Sequence, residues 1–434
     1  MNSDVPVASD SGGTGQASHE GCGSALAGAR EHDGGSAGAP HSGRNRRWLI
    51  LVIGLIALTA GCTFQYGLAY LIPALRHEGF SLELASVLVA CPTAGLLLTL
   101  IGWGAAADRW GERVVLACGL LVAGIVLIAA SSVHGTAGLG VSLALAGAAG
   151  GSVFAASGRL ILGWFARQER GLAMGIRQSA QPLGVALAAA TLPGLGASGV
   201  RIPLLFLGSF CLMAGVLVIV LVRDPPRPAN RPRAAGTPPY RQPVLWRIHA
   251  ASALLVVPQF TVATFALVFL VDARGWTALA AGRLLAVAQA CGAASRLGAG
   301  YWSDRVNSRM RPMRILALST AIGMLALAGA AAAGASAAVP VLLSCSVVAV
   351  STNGLAFTAV AEYAGSAWAG RALGIQNTGQ NAMAAATPPV LALAIGSVGY
   401  GPSFAVVAAF PLIAALLVPV GAERGSAGAI APVT

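Results

Sequence analysis

The chain contains no lysine, so all 27 of its basic residues are arginine. Only 10% of its 434 residues are charged, against about 25% in a soluble globular protein. Acids number 15, which leaves a net charge of +12. The arginines are spread over short segments and form no basic domain, which excludes a nucleic-acid partner. Of the seven cysteines, Cys62, Cys91, Cys118, Cys211, Cys291 and Cys345 lie in apolar stretches, Cys22 lies outside them, and no C-x-x-C pair occurs. That excludes a disulfide framework or a cysteine metal site and leaves them as small core residues. H-E-x-x-H, G-x-S-x-G and Walker sequences are absent. Gly194 to Gly199 matches G-x-G-x-x-G, but it follows no strand and is discounted. The expectation is therefore a chain that is not an enzyme and holds no cofactor or metal.

What is present is apolar sequence. Twelve runs span roughly 48–73, 84–107, 114–132, 137–165, 171–194, 202–222, 248–271, 277–302, 313–334, 338–362, 372–396 and 402–420. About 20 apolar residues cross a bilayer as a helix, the one open structure that satisfies its own backbone there. Twenty arginines fall on the two tails and alternate connections, whereas the opposite connections hold only Arg76, Arg201 and Arg274. The positive-inside rule then puts both termini in the cytoplasm of a multi-pass protein of the cell membrane. Residues 1–43, rich in Gly, Ser and Ala, read as a disordered cytoplasmic tail; they lack the apolar core of a secretory signal. The organisation expected is a six-helix half over 44–222, a proline- and arginine-rich cytoplasmic linker over 223–247, a second half over 248–421 and a tail over 422–434. Small residues such as Gly147-Ala-Ala-Gly-Gly151 permit close helix approach, and Pro182, Pro258 and Pro388 predict kinks.

The halves repeat. Gly104-Ala-Ala-Ala-Asp-Arg109 follows span two and Gly300-Tyr-Trp-Ser-Asp-Arg305 follows span eight, 196 residues on. Gly171-Leu-Ala-Met-Gly-Ile-Arg177 and Gly370-Arg-Ala-Leu-Gly-Ile-Gln376 open spans five and eleven, 199 apart. Duplicated halves related by an axis along the membrane normal point to a transporter with its solute between them. Gly104, Asp108, Arg109, Gly111 and Arg113 resemble the signature of the major facilitator superfamily, although Glu112 stands where a basic residue is usual. The second copy keeps Gly300, Asp304, Arg305 and Arg309, with Asn307 in place of a glycine. The resemblance covers about 48–421 and implies an all-α fold of twelve transmembrane helices in two pseudo-symmetric halves.

Charged groups inside a membrane are costly and mark function or a tight partner. Four arginines lie within spans: Arg159, Arg177, Arg283 and Arg296. Arg159 and Arg177 lie about two turns from the cytoplasmic ends, where they pair with Asp108 or Glu169 or else meet solute. Arg296 resembles the substrate-anion arginine of oxalate and monocarboxylate transporters, with Leu297 replacing their usual proline; its other reading is a pair with Glu362. Arg283 lies nearer the outside. No carboxylate sits mid-span in spans one, four, seven or ten. A neutral-to-positive cavity attracts anions and repels cations.

The candidate substrate contacts are thus Gln65, Tyr66, Arg177, Gln259, Arg296, Asn353 and Gln380. The candidate cytoplasmic gate is Asp108, Arg109, Arg113, Arg159, Asp304, Arg305 and Glu362. The expected function is alternating-access transport of a small solute, an organic anion or monocarboxylate, by a monomer in the lipid bilayer, with a proton or counter-anion as co-solute. The alternative is an efflux pump for apolar compounds.

Overall fold

The structure is a computed structural model and describes residues 41–165, 170–224, 239–241 and 243–422. Twelve helices among them are long and apolar enough to cross a membrane: α1 (Arg46–His77), α2 (Leu82–Ala107), α3 (Glu112–Ala130), α4 (Thr136–Ile161), α5 (Gly175–Ser198), α6 (Arg201–Leu221), α7 (Pro243–Ala273), α8 (Ala278–Arg305), α9 (Met310–Ala332), α10 (Ala338–Gly365), α11 (Arg371–Val398) and α12 (Tyr400–Ala422). They agree with the twelve expected runs in number and order. Two corrections concern the ends. The first helix already begins at His41, and α7 begins at Pro243, so the expected tail and linker each give up residues to a helix. Residues 1–40, 225–238 and 423–434, which carry the rest of those segments, lie outside the described residues.

The two halves pack alike. The pair α3–α6 recurs as α9–α12, and in both glycines let the backbones touch. A Cβ on Gly124 would meet the carbonyl of Gly208, and one on Gly401 would meet that of Ala328. The expected glycine run on α4 is used in the same way. A side chain at Gly147 would fall on the carbonyl of Pro92 in α2, and one at Gly150 on the ring of Phe64 in α1. At Gly147 only glycine permits that approach, because a Cβ there would displace backbone rather than a flexible side-chain end.

The repeat extends to the turn after the first helix of each half. Gly79-Phe-Ser81 and Gly275-Trp-Thr277 are 196 residues apart. Both glycines have positive φ, and both hydroxyls cap the next helix by accepting from the main-chain N–H three residues on. Arg76 and Asp272 are equivalent by this count, and they form an ion pair that joins α1 to α7. Tyr66 and Phe260, 194 apart, also meet each other, at 5.3 Å between ring centroids. Two extra residues therefore enter α7 between the two contacts. α1 tightens into a 3-10 turn over Leu68–Leu71, which climbs farther per residue, whereas α7 widens into a π turn over Phe269–Ala273. The unequal stretches thus finish level, and opposite charges meet on the pseudo-twofold axis.

At this arginine-poor end the halves touch along other lines too. Gly282 of α8 lies against the Ala189 carbonyl and Pro193 of α5, and Gly396 of α11 lies against Glu83 of α2. At the basic end the ion pairs among the described residues stay within their own half: Arg159 with Glu112, and Arg309 with Asp304 and Glu362. Asp304 and Glu362 remain 66% and 51% exposed there. The ion pair that joins the halves lies at the arginine-poor end.

Candidate functional site

The site begins with a missing donor. Pro182 has no N–H, so the carbonyl four residues earlier, that of Gln178, has no partner in an α-helical ladder. The helix is interrupted there for one residue, Ser179, between Arg170–Gln178 and Ala180–Leu195, and the Ser179 backbone stays in the right-handed helical region. Arg177 and Gln178 end the first piece, and Gln181 opens the second. Of the three prolines expected to kink, Pro182 coincides with this break, whereas the chain stays helical through Pro258 and Pro388.

Two arginines converge on this point, one from each half. Arg177 donates from Nε and Nη2 to Ser157 Oγ of α4 at 3.0 and 2.9 Å, and from Nη1 to Gln178 Oε1 at 2.9 Å. Arg296 of α8 donates from Nε to the Val350 carbonyl of α10 at 2.9 Å. Its Nη1 donates to the main-chain oxygen of Gln178 and its Nη2 to Gln181 Oε1, each at 3.2 Å. Every acceptor is neutral. Among the described residues no carboxylate contacts either guanidinium. Both residues lie well inside their helices and are half-buried. An unneutralised cation in the interior of a membrane protein is costly, and two guanidiniums at one level can hold an anion.

Aromatic and amide groups stand around this pair. Tyr66 lies edge-on to Phe154 of α4 at 5.8 Å and to Phe260 of α7, and its hydroxyl donates to Asn381 Oδ1 of α11 at 2.9 Å. Gln65 is 1% exposed, and neither its Oε1 nor its Nε2 has a hydrogen-bond partner. Burying an amide group in that condition costs about 1–3 kcal/mol. Its repeat counterpart Gln259 is satisfied, because Asn353 Nδ2 donates to its Oε1 at 2.9 Å. Gln380 donates to Ser252 Oγ of α7 at 2.6 Å, and Gln376 donates to the same hydroxyl. Gln376 Oε1 in turn meets His249 Nδ1 at 2.6 Å. Thus Tyr66, Arg177 and Arg296 are brought together at the centre. Gln259, Asn353 and Gln380 are tied to neighbouring helices.

The expected gate residues are resolved as follows. Arg159 pairs with the buried Glu112 at 3.5 Å; the Asp108 side chain and Glu169, its expected partners, lie outside the described residues. Glu112, the departure from the family signature, is what receives this arginine. Glu362 pairs with Arg309 at 3.2 Å, which sets aside the alternative reading of Arg296 as its partner. Asp304 meets the same Arg309. Arg113 donates to the Ile219 carbonyl, and its main-chain N–H to Asp224 Oδ1 at 2.7 Å. Arg109 and Arg305 are exposed and lie over the rings of Trp110 and Tyr301 at 5.9 and 4.8 Å. Arg283 is exposed near the arginine-poor end, away from the other interior arginines.

Sequence reasoning does not reach Ser157, Phe154, Ser252 and His249. A lone serine or phenylalanine in an apolar run carries no signal by itself. Phe260 was legible only as the repeat counterpart of Tyr66. Among the described residues no group of three or more His, Cys, Asp or Glu side chains could hold a metal ion.

The Major Facilitator Superfamily profile matches residues 54–388. The chain is 44% identical over 384 residues to the MFS-type transporter Rv2994 of Mycobacterium tuberculosis, covering 87% of this chain and 86% of that one. The fold is similar to a bacterial homolog of the human lysosomal transporter Spinster in an inward-facing, occupied conformation, with TM-score 0.70 at 13% identity over 87% of this chain and 97% of that chain. It is similar also to a D-xylose–proton symporter, with TM-score 0.71 at 16% identity over 87% and 99%.

Proposed function

This chain belongs to the Major Facilitator Superfamily, and from that premise we propose that the small solute it transports is an organic anion, a carboxylate, bound between two six-helix halves. One observation carries the reading. Arg177 and Arg296, from opposite halves, both contact Gln178, and no described carboxylate neutralises either. A carboxylate can accept from the two Nη groups of one guanidinium at once, which adds geometry to charge. Tyr66, Phe154 and Phe260 offer an apolar wall for the body of the molecule. The unpartnered amide of Gln65 is a further contact. An efflux pump for apolar compounds has no use for two unneutralised cations at its centre.

Transport follows by alternating access. With the termini in the cytoplasm, the joined end is the outer one, shut in this state, and the site opens inward. Halves divided at the 223–247 linker then rock about the axis marked by Tyr66–Phe260 and Arg76–Asp272. Arg109, Arg113, Arg159, Asp304, Arg305 and Glu362 re-pair at the cytoplasmic end when the outer end opens. The carrier acts as a monomer in the cell membrane, and a proton or counter-anion balances the charge it moves.

The test is binding of formate, acetate, lactate, oxalate and succinate to the purified chain, read as a rise in melting temperature, since a ligand stabilises the state it binds. Arg296→Ala is expected to weaken the tightest of these about tenfold to a hundredfold, the worth of charge-assisted hydrogen bonds at about 1.5–3 kcal/mol. An unchanged affinity in that variant would sink the site.

A further inference from the structure

We propose that the Gln178 carbonyl laid open by Pro182 is the resting dock of the Arg296 guanidinium, and that the arriving carboxylate takes the guanidinium over from it. The proposal rests on the anion reading and names what the anion must displace. Arg296 has two kinds of acceptor. Its Nε is bound at 2.9 Å to Val350 of its own half. Its two Nη groups are bound to α5 of the other half, both at 3.2 Å, the long end for such bonds. Those Nη acceptors are an amide oxygen of a side chain and a carbonyl oxygen that has lost its helical donor. A carboxylate brings a full negative charge to the same Nη edge and forms shorter, ion-paired bonds there than a neutral amide oxygen can, so it wins the exchange. The Nε bond to Val350 keeps the guanidinium plane oriented while the other edge changes partner.

The exchange has a mechanical consequence. In the resting state the guanidinium links α8 of one half to α5 of the other. Once the anion occupies the Nη edge, that link is gone at the level where the halves pivot. A ligand shifts a conformational equilibrium only by binding its states differently, and the freed cross-half bonds are such a difference. Pro182 and Gln181 are therefore positioning residues that act through Arg296. Part of the intrinsic affinity is spent on the fraction of molecules whose guanidinium is docked.

Two variants test this by titration calorimetry of oxalate into the full chain in detergent. Gln181→Met keeps the side-chain length and removes one acceptor. Pro182→Ala restores an N–H, which the helix gives to Gln178. Each is expected to tighten oxalate binding about threefold to tenfold, the net worth of one hydrogen bond removed from the competition. Residues that merely supported the fold would weaken it. Should Pro182→Ala fail to fold, Gln181→Met decides the matter. Oxalate bound by the wild type but no tighter by the variant overturns the dock and leaves the anion reading standing. Oxalate bound no better by the wild type than by Arg177→Ala/Arg296→Ala overturns both.

Discussion

At the scale of single residues, the informative ones are those whose partners are missing or borrowed. Gln65 and Gln259 read alike in sequence, one repeat apart, and each is fully buried. Asn353 satisfies Gln259, whereas both amide atoms of Gln65 are left over. A solute contact at Gln65 gives a prediction with two signs. Gln65→Met removes a buried unpaired amide at similar volume and should raise the solute-free melting temperature by a few degrees. The same change should weaken binding of the preferred carboxylate. A lower melting temperature with unaltered binding would show that the amide serves the fold alone. Glu112 teaches a related point. As a departure from the family signature it had no evident use in sequence, and its use is a buried pair with Arg159, on a different helix.

At the scale of helices, irregular turns do the work that regular ones cannot. A uniform α1 and a uniform α7, with ten and twelve residues between equivalent contacts, would end at different levels. The 3-10 and π turns remove that mismatch and set Arg76 against Asp272. Because these two are repeat equivalents, like charges there would repel across the axis; the copies carry opposite ones. The pair is a clasp on the shut end, so Asp272→Arg should favour opening there. Spin labels at Val133 and Val398, both exposed, should then move apart, and Arg76→Asp/Asp272→Arg should restore the wild-type separation. Equal distances in the single and double variants would remove the clasp from the account. The prolines sort in a similar way: Pro182 opens a carbonyl that an arginine takes, whereas Pro258 lies in a helix that stays continuous.

At the scale of the whole molecule, arginine placement and the repeat meet. The arginines on alternate connections put Asn307 and the 223–247 linker on one side and His134 on the other. Cysteine at Asn307 should react with an impermeant maleimide only in inside-out vesicles, and cysteine at His134 only in right-side-out ones. The reverse result would invert the orientation proposed here. The same placement isolates Arg159, Arg177, Arg283 and Arg296 as interior exceptions, and the structure divides them. Arg159 has a carboxylate partner, Arg283 is exposed, and the remaining two share Gln178.

Helix number, order, family and the identity of the interior arginines followed from sequence, because hydropathy, charge asymmetry and duplication are written locally or at a fixed period. Partner choice was not, and only the tertiary structure decided it. Whether Arg296 meets Glu362 or Gln178 depends on where α5 breaks and how α8 crosses it, and two guanidiniums 119 residues apart become one site only when separate halves bring them to the same depth. An arginine in an apolar run announces that a charge must be satisfied; which group satisfies it is set by packing between helices, and no single run contains that information.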